Sequence, residues 1–144
     1  MALRYSHMAL TCVDPAVIER FYTEHFGFNR AREVIAGTVQ VVFLKLGDVY
    51  LELFEKSEDA PIPGASKDGA PFPGWRHIAF QVDDLDAQIE KMGAAARITL
   101  GPIDFGAFVP GWRTVWIADP EGNIVEISQG FRDQEPPPGP LQGI

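Results

Sequence analysis

At 144 residues the chain has room for one domain, or for two small halves that share a core. A 46% hydrophobic share supports a buried core, and 22% charged residues with 12 prolines do not describe a wholly disordered chain. The formal charge of −8, without a cluster of Lys and Arg, argues against nucleic-acid binding, which needs grouped cations on phosphates. A single cysteine, Cys12, precludes an internal disulfide. The opening MALRYSHMAL lacks the apolar stretch of a signal peptide, and no run nears the roughly 18 apolar residues of a membrane span. A cytoplasmic protein with no membrane partner is expected.

Residues 5–13 alternate as a strand, with Met8, Leu10 and Cys12 on one face and His7, Ala9, Thr11 and Val13 on the other. DPAVIERFYTEHFG predicts a helix. Asp14 is its N-cap and Pro15 its first residue; Val17, Ile18, Phe21, Tyr22 and Phe26 recur at helical spacing, and Gly27 is the stop. His25 reads as a surface or packing residue. Three strand-like runs follow, FNRAREVI, TVQVVFLKL and VYLELFE, with turns at AG and GD. Residues 57–74, SEDAPIPGASKDGAPFPG, read as a Pro/Gly-rich linker.

The pattern then restarts. RHIAFQV reads as a strand. DLDAQIEKMG predicts a short helix capped by Asp84, with Leu85, Ile89 and Met92 apolar and Gly93 at the stop. ARITL is a weak strand, and GPIDFGAFVPGW reads as a Gly/Pro/aromatic loop suited to a lid. RTVWIA and IVEISQ are strands joined by the turn DPEGN. The tail, 131–144, is expected to be extended or disordered.

This is the pattern of an internal duplication, with modules at about 4–56 and 75–130 of a domain spanning 1–130. HMALTCVD matches HIAFQVDD, and VYLELFE matches NIVEISQ. His7 and Glu52 are 45 residues apart, His77 and Glu126 49. In each of the four strands one face is apolar enough to lie under a helix. The other carries a single His or Glu among small, mixed or aromatic residues. A lone strand histidine is usually structural, and a lone strand glutamate usually faces solvent. Four of them in matched pairs point elsewhere. If the sheet curls, they converge, and a divalent cation offsets the repulsion and lost hydration of two carboxylates.

The stretches SHMALTCVD…FYTEHFGF, YLELFE, RHIAFQVDD and DPEGNIVEI resemble the vicinal oxygen chelate superfamily over residues 4–130. That superfamily includes glyoxalase I, methylmalonyl-CoA epimerase, extradiol dioxygenases, fosfomycin-resistance enzymes and bleomycin-binding proteins. The resemblance implies an α+β fold of two tandem βαβββ modules forming a cup-shaped mixed sheet around one metal. It places the metal ligands on His7, Glu52, His77 and Glu126. Such a donor set suits Zn, Ni, Co, Mn or Fe(II). It also implies a homodimer acting on a small-molecule substrate.

A His2Glu2 set looks like that of glyoxalase I, which implies an isomerase or lyase working through a metal-stabilised enediolate on vicinal oxygens. Glu126 is the first choice of proton-abstracting base and Glu52 the second. The chain departs from glyoxalase I at Thr11 and Lys56, where that enzyme commonly has the Arg and Asn that help hold glutathione. Extradiol dioxygenases would use His7, His77 and Glu126 with Fe(II), and antibiotic-binding relatives bind without turnover. Tyr50, Phe54 and Trp116 are candidate pocket walls. So are Trp112 and Arg113 of the repeated PGWR, with core packing and a surface ion pair as the alternatives.

Overall fold

A computed structural model describes residues 2–140. In chain order the elements are β1 (His7–Cys12), α1 (Pro15–Phe26), β2 (Asn29–Ala36), β3 (Val39–Leu46), β4 (Val49–Glu55), β5 (Ile78–Gln81), α2 (Leu85–Met92), β6 (Arg97–Asp104), β7 (Arg113–Ala118) and β8 (Ile124–Gln129), with a 3-10 turn at Gly93–Ala95. They form two four-stranded sheets, ordered β1-β4-β3-β2 and β5-β8-β7-β6, so the α+β fold of two βαβββ modules is present. The chain divides into two compact units, Met1–Ala65 with Ala118–Asn123, and Ser66–Ile117 with Ile124–Ile144.

In the first unit β1 runs parallel to β4, whereas β3 is antiparallel to both β4 and β2. The parallel pair requires a crossover, and α1 provides it. Asp14 caps the helix by accepting the Ala16 N–H at 3.0 Å, and Gly27 ends it at φ 75°, where its N–H reaches the Tyr22 carbonyl. Ile18, Phe21 and Tyr22 of α1 are buried, as are Leu44, Leu51 and Leu53 of the sheet. Cys12 is buried too. Its burial, then the carboxylates of Glu121, Asp119 and Asp14, push the thiol up to about 12.

The DPEGN turn does more than join two strands. Asp119 is fully buried and accepts from the Tyr22 hydroxyl at 2.9 Å, the Glu121 and Asn123 N–H groups at 2.9 and 3.0 Å, and Asn123 Nδ2 at 2.8 Å. Burial and this carboxylate raise the Tyr22 phenol far above its usual range. Glu121 in turn accepts the N–H groups of Val13 and Asp14 at 2.7 and 2.8 Å, just ahead of α1.

In the second unit β5 runs parallel to β8. Asp84 caps α2 by accepting the Ala87 N–H at 2.9 Å, and Gln129 Oε1 accepts the Leu85 N–H at 2.7 Å. Leu85 and Met92 are buried with Val115, Ile117, Val125 and Ile127. Two boundaries differ from those read in the sequence. The strand over 76–82 contracts to Ile78–Gln81, leaving His77 just ahead of it. The strand over 96–100 extends through Gly101 and Pro102 to Asp104, into residues expected to be loop. Pro102 fits because β6 is an edge strand, where a missing N–H breaks no ladder bond on its open side. Gly101, at φ 90°, passes the Thr114 carbonyl so closely that a Cβ would lie 3.1 Å from it.

Residues 57–74 and 131–140 hold no helix or strand, and the rest of the expected tail, 141–144, lies outside the described residues. Among the described residues no helix is long and apolar enough to cross a membrane.

Two outcomes follow from the buried groups. Asp119→Ala strands the Tyr22 hydroxyl and the donors of the turn and is expected to cost about 3 kcal/mol in urea unfolding. Tyr22→Phe, which removes one donor, should cost only about 1 kcal/mol; equal losses would show that the turn does not depend on Asp119. Cys12 should ignore a thiol reagent at mildly alkaline pH in the folded protein and react once urea unfolds it, because the thiolate is scarce and covered.

Candidate functional site

In a sheet, directly paired residues share a face. The register of β1 and β4 sets Ala9 opposite Glu52, with His7 two residues before Ala9. The register of β5 and β8 sets Ala79 opposite Glu126, with His77 two residues before Ala79. The duplication seen in the sequence is therefore a duplication of strand register.

Each unit closes this register into an imidazole–carboxylate pair. His7 Nε2 lies 3.2 Å from Glu52 Oε2, with the side chains 42% and 16% exposed. His77 Nε2 lies 2.7 Å from Glu126 Oε2, at 19% and 14%. Both rings meet an aromatic edge-on: His7 against Phe43 at 5.9 Å and 76°, His77 against Trp116 at 6.3 Å and 67°. Among the described residues no three of His, Cys, Asp and Glu gather as a metal site; each pair stands as two donors.

The other ring nitrogens decide what the pairs are able to do. His77 Nδ1 donates to the Asp68 carbonyl oxygen at 2.6 Å. A carbonyl only accepts, so Nδ1 carries the hydrogen and the neutral ring keeps its lone pair on Nε2, facing Glu126. His7 Nδ1 lies 2.9 Å from Ser6 Oγ. A lone pair and a carboxylate oxygen at such distances need a cation between them, a proton or a metal ion. A ring nitrogen fixed by a backbone oxygen on its far side is the usual support of a ligating histidine. The residues present thus fit a divalent ion. Thr114, fully buried, donates to Glu126 Oε1 at 2.8 Å or to the Ile127 carbonyl at 3.1 Å. That bond ties down one carboxylate oxygen and leaves Oε2 for His77.

The remaining candidates fall in both units. Tyr50 lines a pocket of about 430 Å³ in the first unit with Ser6, His7, Ala31, Arg32 and Phe43. Phe54 lies half-buried on the same face, opposite Thr11. In the second unit Trp112 Nε1 donates to Ser128 Oγ at 3.0 Å, and Arg113 forms a two-pronged ion pair with Asp86 at 3.0 and 3.1 Å. Trp116 is buried, and its Nε1–H has no acceptor among the described residues. Of the first PGWR, Trp75 is exposed and Arg76 pairs with Asp68 at 3.0 Å.

Two functional features escape a reading by periodicity. The linker supplies Asp68, whose carbonyl holds His77 and whose carboxylate holds Arg76. Its signal is the turn dipeptide Asp68-Gly69: the Gly69 N–H closes onto the Ser66 carbonyl at 2.9 Å. Gly69 sits at φ 121°, and a Cβ there would lie 1.9 Å from the Arg76 carbonyl oxygen. The second feature is a bulge in β2 between Arg30 and Arg32.

Gly69→Ala is expected to push Asp68 off His77. In nitrogen-15 spectra of the imidazole the wild type should show one tautomer, protonated on Nδ1, and the variant a mixture. A variant that keeps the single tautomer would mean that the linker does not set it.

A family model describing the Glyoxalase/Bleomycin resistance protein/Dioxygenase superfamily matches residues 4–127. The virulence protein STM3117 of Salmonella typhimurium is 27% identical over 135 residues, 88% of this chain and 83% of that protein. The crystal structure of SMU.1112c is 26% identical and superimposes with a TM-score of 0.68, covering 90% of this chain and 100% of that one. The fosfomycin resistance protein FosX of Listeria monocytogenes, solved with Mn(II) and sulfate, is 15% identical with a TM-score of 0.59, over 90% of this chain and 93% of that one, a likeness of fold. With a match that spans both βαβββ modules, the chain belongs to the Glyoxalase/Bleomycin resistance protein/Dioxygenase superfamily.

Proposed function

We propose that this protein is a metal-dependent isomerase or lyase acting on a small substrate with two neighbouring oxygens. One observation carries the reading: the same imidazole–carboxylate pair is built twice, each time on a parallel strand pair and with the far ring nitrogen engaged. His7, Glu52, His77 and Glu126 are the four donors, two from each module. These residues would hold a divalent ion, Zn, Ni, Co, Mn or Fe(II), which when bound would supply Lewis-acid polarisation of the substrate oxygens. Mn(II) in the Listeria FosX supports an ion of this class.

The chain's own residues supply the proton chemistry. Glu126 is the base: Thr114 holds its Oε1, which presents Oε2 to accept a proton from the carbon beside a carbonyl. His77, oriented by Asp68, sets its Nε2 2.7 Å from that oxygen, so that one cation, a proton or the ion, is shared between them. Trp116 packs edge-on against the His77 ring, and its Nε1–H, partnerless among the described residues, is the candidate donor for a substrate oxygen. Glu52, which no hydroxyl among the described residues anchors, is the second base.

Anaerobic reconstitution with each ion, followed by metal analysis, is the first test; absence of stoichiometric metal overturns the reading. The loaded protein should then exchange substrate protons with deuterated solvent when given vicinal dicarbonyl or acyl-CoA compounds. Glu126→Gln should abolish exchange while part of the metal stays; unchanged exchange removes Glu126 as the base. Oxygen uptake with catechols in place of exchange would make the protein a dioxygenase.

Thr114→Val should weaken metal binding about tenfold by loosening Glu126. Mixing His7→Ala with His77→Ala protein tests the assembly: restored activity assigns the two modules around one ion to different chains of a dimer, and no restoration assigns them to one chain.

A further inference from the structure

The bulge in β2 changes the face of one arginine. Before it Arg30 pairs with Leu44, a buried residue under α1; after it Arg32 pairs with Phe43, and Ala31 is the extra residue. Residues two apart in a regular strand share a face, so without the bulge Arg30 and Arg32 would point the same way. With it they do not. Arg30 turns to the helix side, where Glu19 of α1 takes it at 2.7 and 2.8 Å and Glu33 at 3.2 Å. Arg32 joins the opposite face, in the row Arg32–Phe43–Glu52–Ala9 that crosses the sheet.

There Arg32 has no hydrogen bond or ion pair with any described residue. It lines the pocket of about 430 Å³ together with His7, Phe43, Tyr50, Ser6 and Ala31. The neighbouring row adds Lys45, whose ammonium lies 5.6 Å over the Tyr50 ring. Bulges beside active sites commonly re-aim a side chain, and a free guanidinium presents a planar fork matched to two oxygens. Glu52 lies two strands away, roughly 10 Å at the spacing of a sheet, and His7 engages it. An anion at Arg32 is therefore set apart from that carboxylate, with Phe43 between.

We propose that Arg32 is a specificity residue: it binds the carboxylate or phosphonate group of a small organic anion whose body lies against Phe43 and Tyr50 and whose other end reaches His7 and Glu52. The proposal rests on the reading of this face as the substrate site and narrows the substrate to an anion. The cation, the aromatic walls and His7 of the half-site line one pocket of small-molecule size.

Calorimetry on the full chain tests it, with and without added Mn(II), using phenylpyruvate, phenylphosphonate and the neutral methyl ester of phenylpyruvate. The acid should bind about tenfold more tightly than its ester, as loss of a charge-assisted bond predicts. Arg32→Gln should erase that difference and weaken both anions, leaving the ester unchanged, and Arg32→Lys should fall between. The melting temperature of each variant confirms that it folds. The proposal is overturned if the ester binds as well as the acid, if Arg32→Gln keeps the preference, or if neither anion binds. The metal reading fails separately, on metal content: Arg32 is not a donor, so its variants should load metal as the wild type does.

Discussion

Everything at the candidate site depends on the register of two parallel strand pairs. With Ala9 opposite Glu52 and Ala79 opposite Glu126, a histidine two residues upstream reaches the glutamate of the next strand. A slip of one residue would turn the whole strand over, sending His7 beneath α1 and Leu10 into the pocket. What prevents the slip is the opposite face. Leu51 and Leu53 are almost wholly buried on β4, as are Val125 and Ile127 on β8, and a one-residue slip would turn the facing strand's apolar residues away from that side. The burial that stabilises each module thus also aims its polar residues. The parallel pairing in turn needs a crossover helix, and that helix supplies the cover.

The two half-sites share a plan and differ in rigidity. His77 Nδ1 is held by the Asp68 carbonyl and Glu126 Oε1 is reached by the Thr114 hydroxyl, which leaves Nε2 and Oε2 facing each other at 2.7 Å. His7 is more exposed and leans on its neighbour Ser6. A positioned carboxylate suits a group that must meet a substrate proton in one orientation, and the looser pair suits one that accommodates different ligands. The pocket lies beside the looser pair.

Much of this was legible in the chain. The caps Asp14, Gly27 and Asp84 follow from local chemistry, and the structure forms them where the residues predict. The matched His and Glu positions were visible because duplication repeats a pattern, and the structure brings each histidine to its own glutamate. Three features lay beyond such reading. The Asp68 carbonyl is a backbone group, so no side-chain pattern records its contact with His77. The DPEGN residues look like an ordinary turn, yet Asp119 closes on Tyr22 across 97 positions of sequence. The bulge at Ala31 inverts a strand's alternation without altering its composition. The extension of β6 through Pro102 has the same origin, since a proline's tolerance depends on whether its strand is an edge.

A chain of net charge −8 is an unpromising host for an anion if only the sum is considered. The distribution alters this, because fields inside a pocket are set by the nearest charges and distant ones are screened within about 10 Å. Several cations are matched where they stand: Arg30 by Glu19 and Glu33, Arg76 by Asp68, Arg113 by Asp86. Those pairs lie at the helix side, in the linker and on the surface. On the pocket face of the first sheet, Arg32 and Lys45 remain, with Glu52 already engaged by His7. The bulge is therefore what converts an acidic protein into one with a locally cationic pocket: it takes one arginine of a pair away from the helix carboxylates and leaves it facing the half-site.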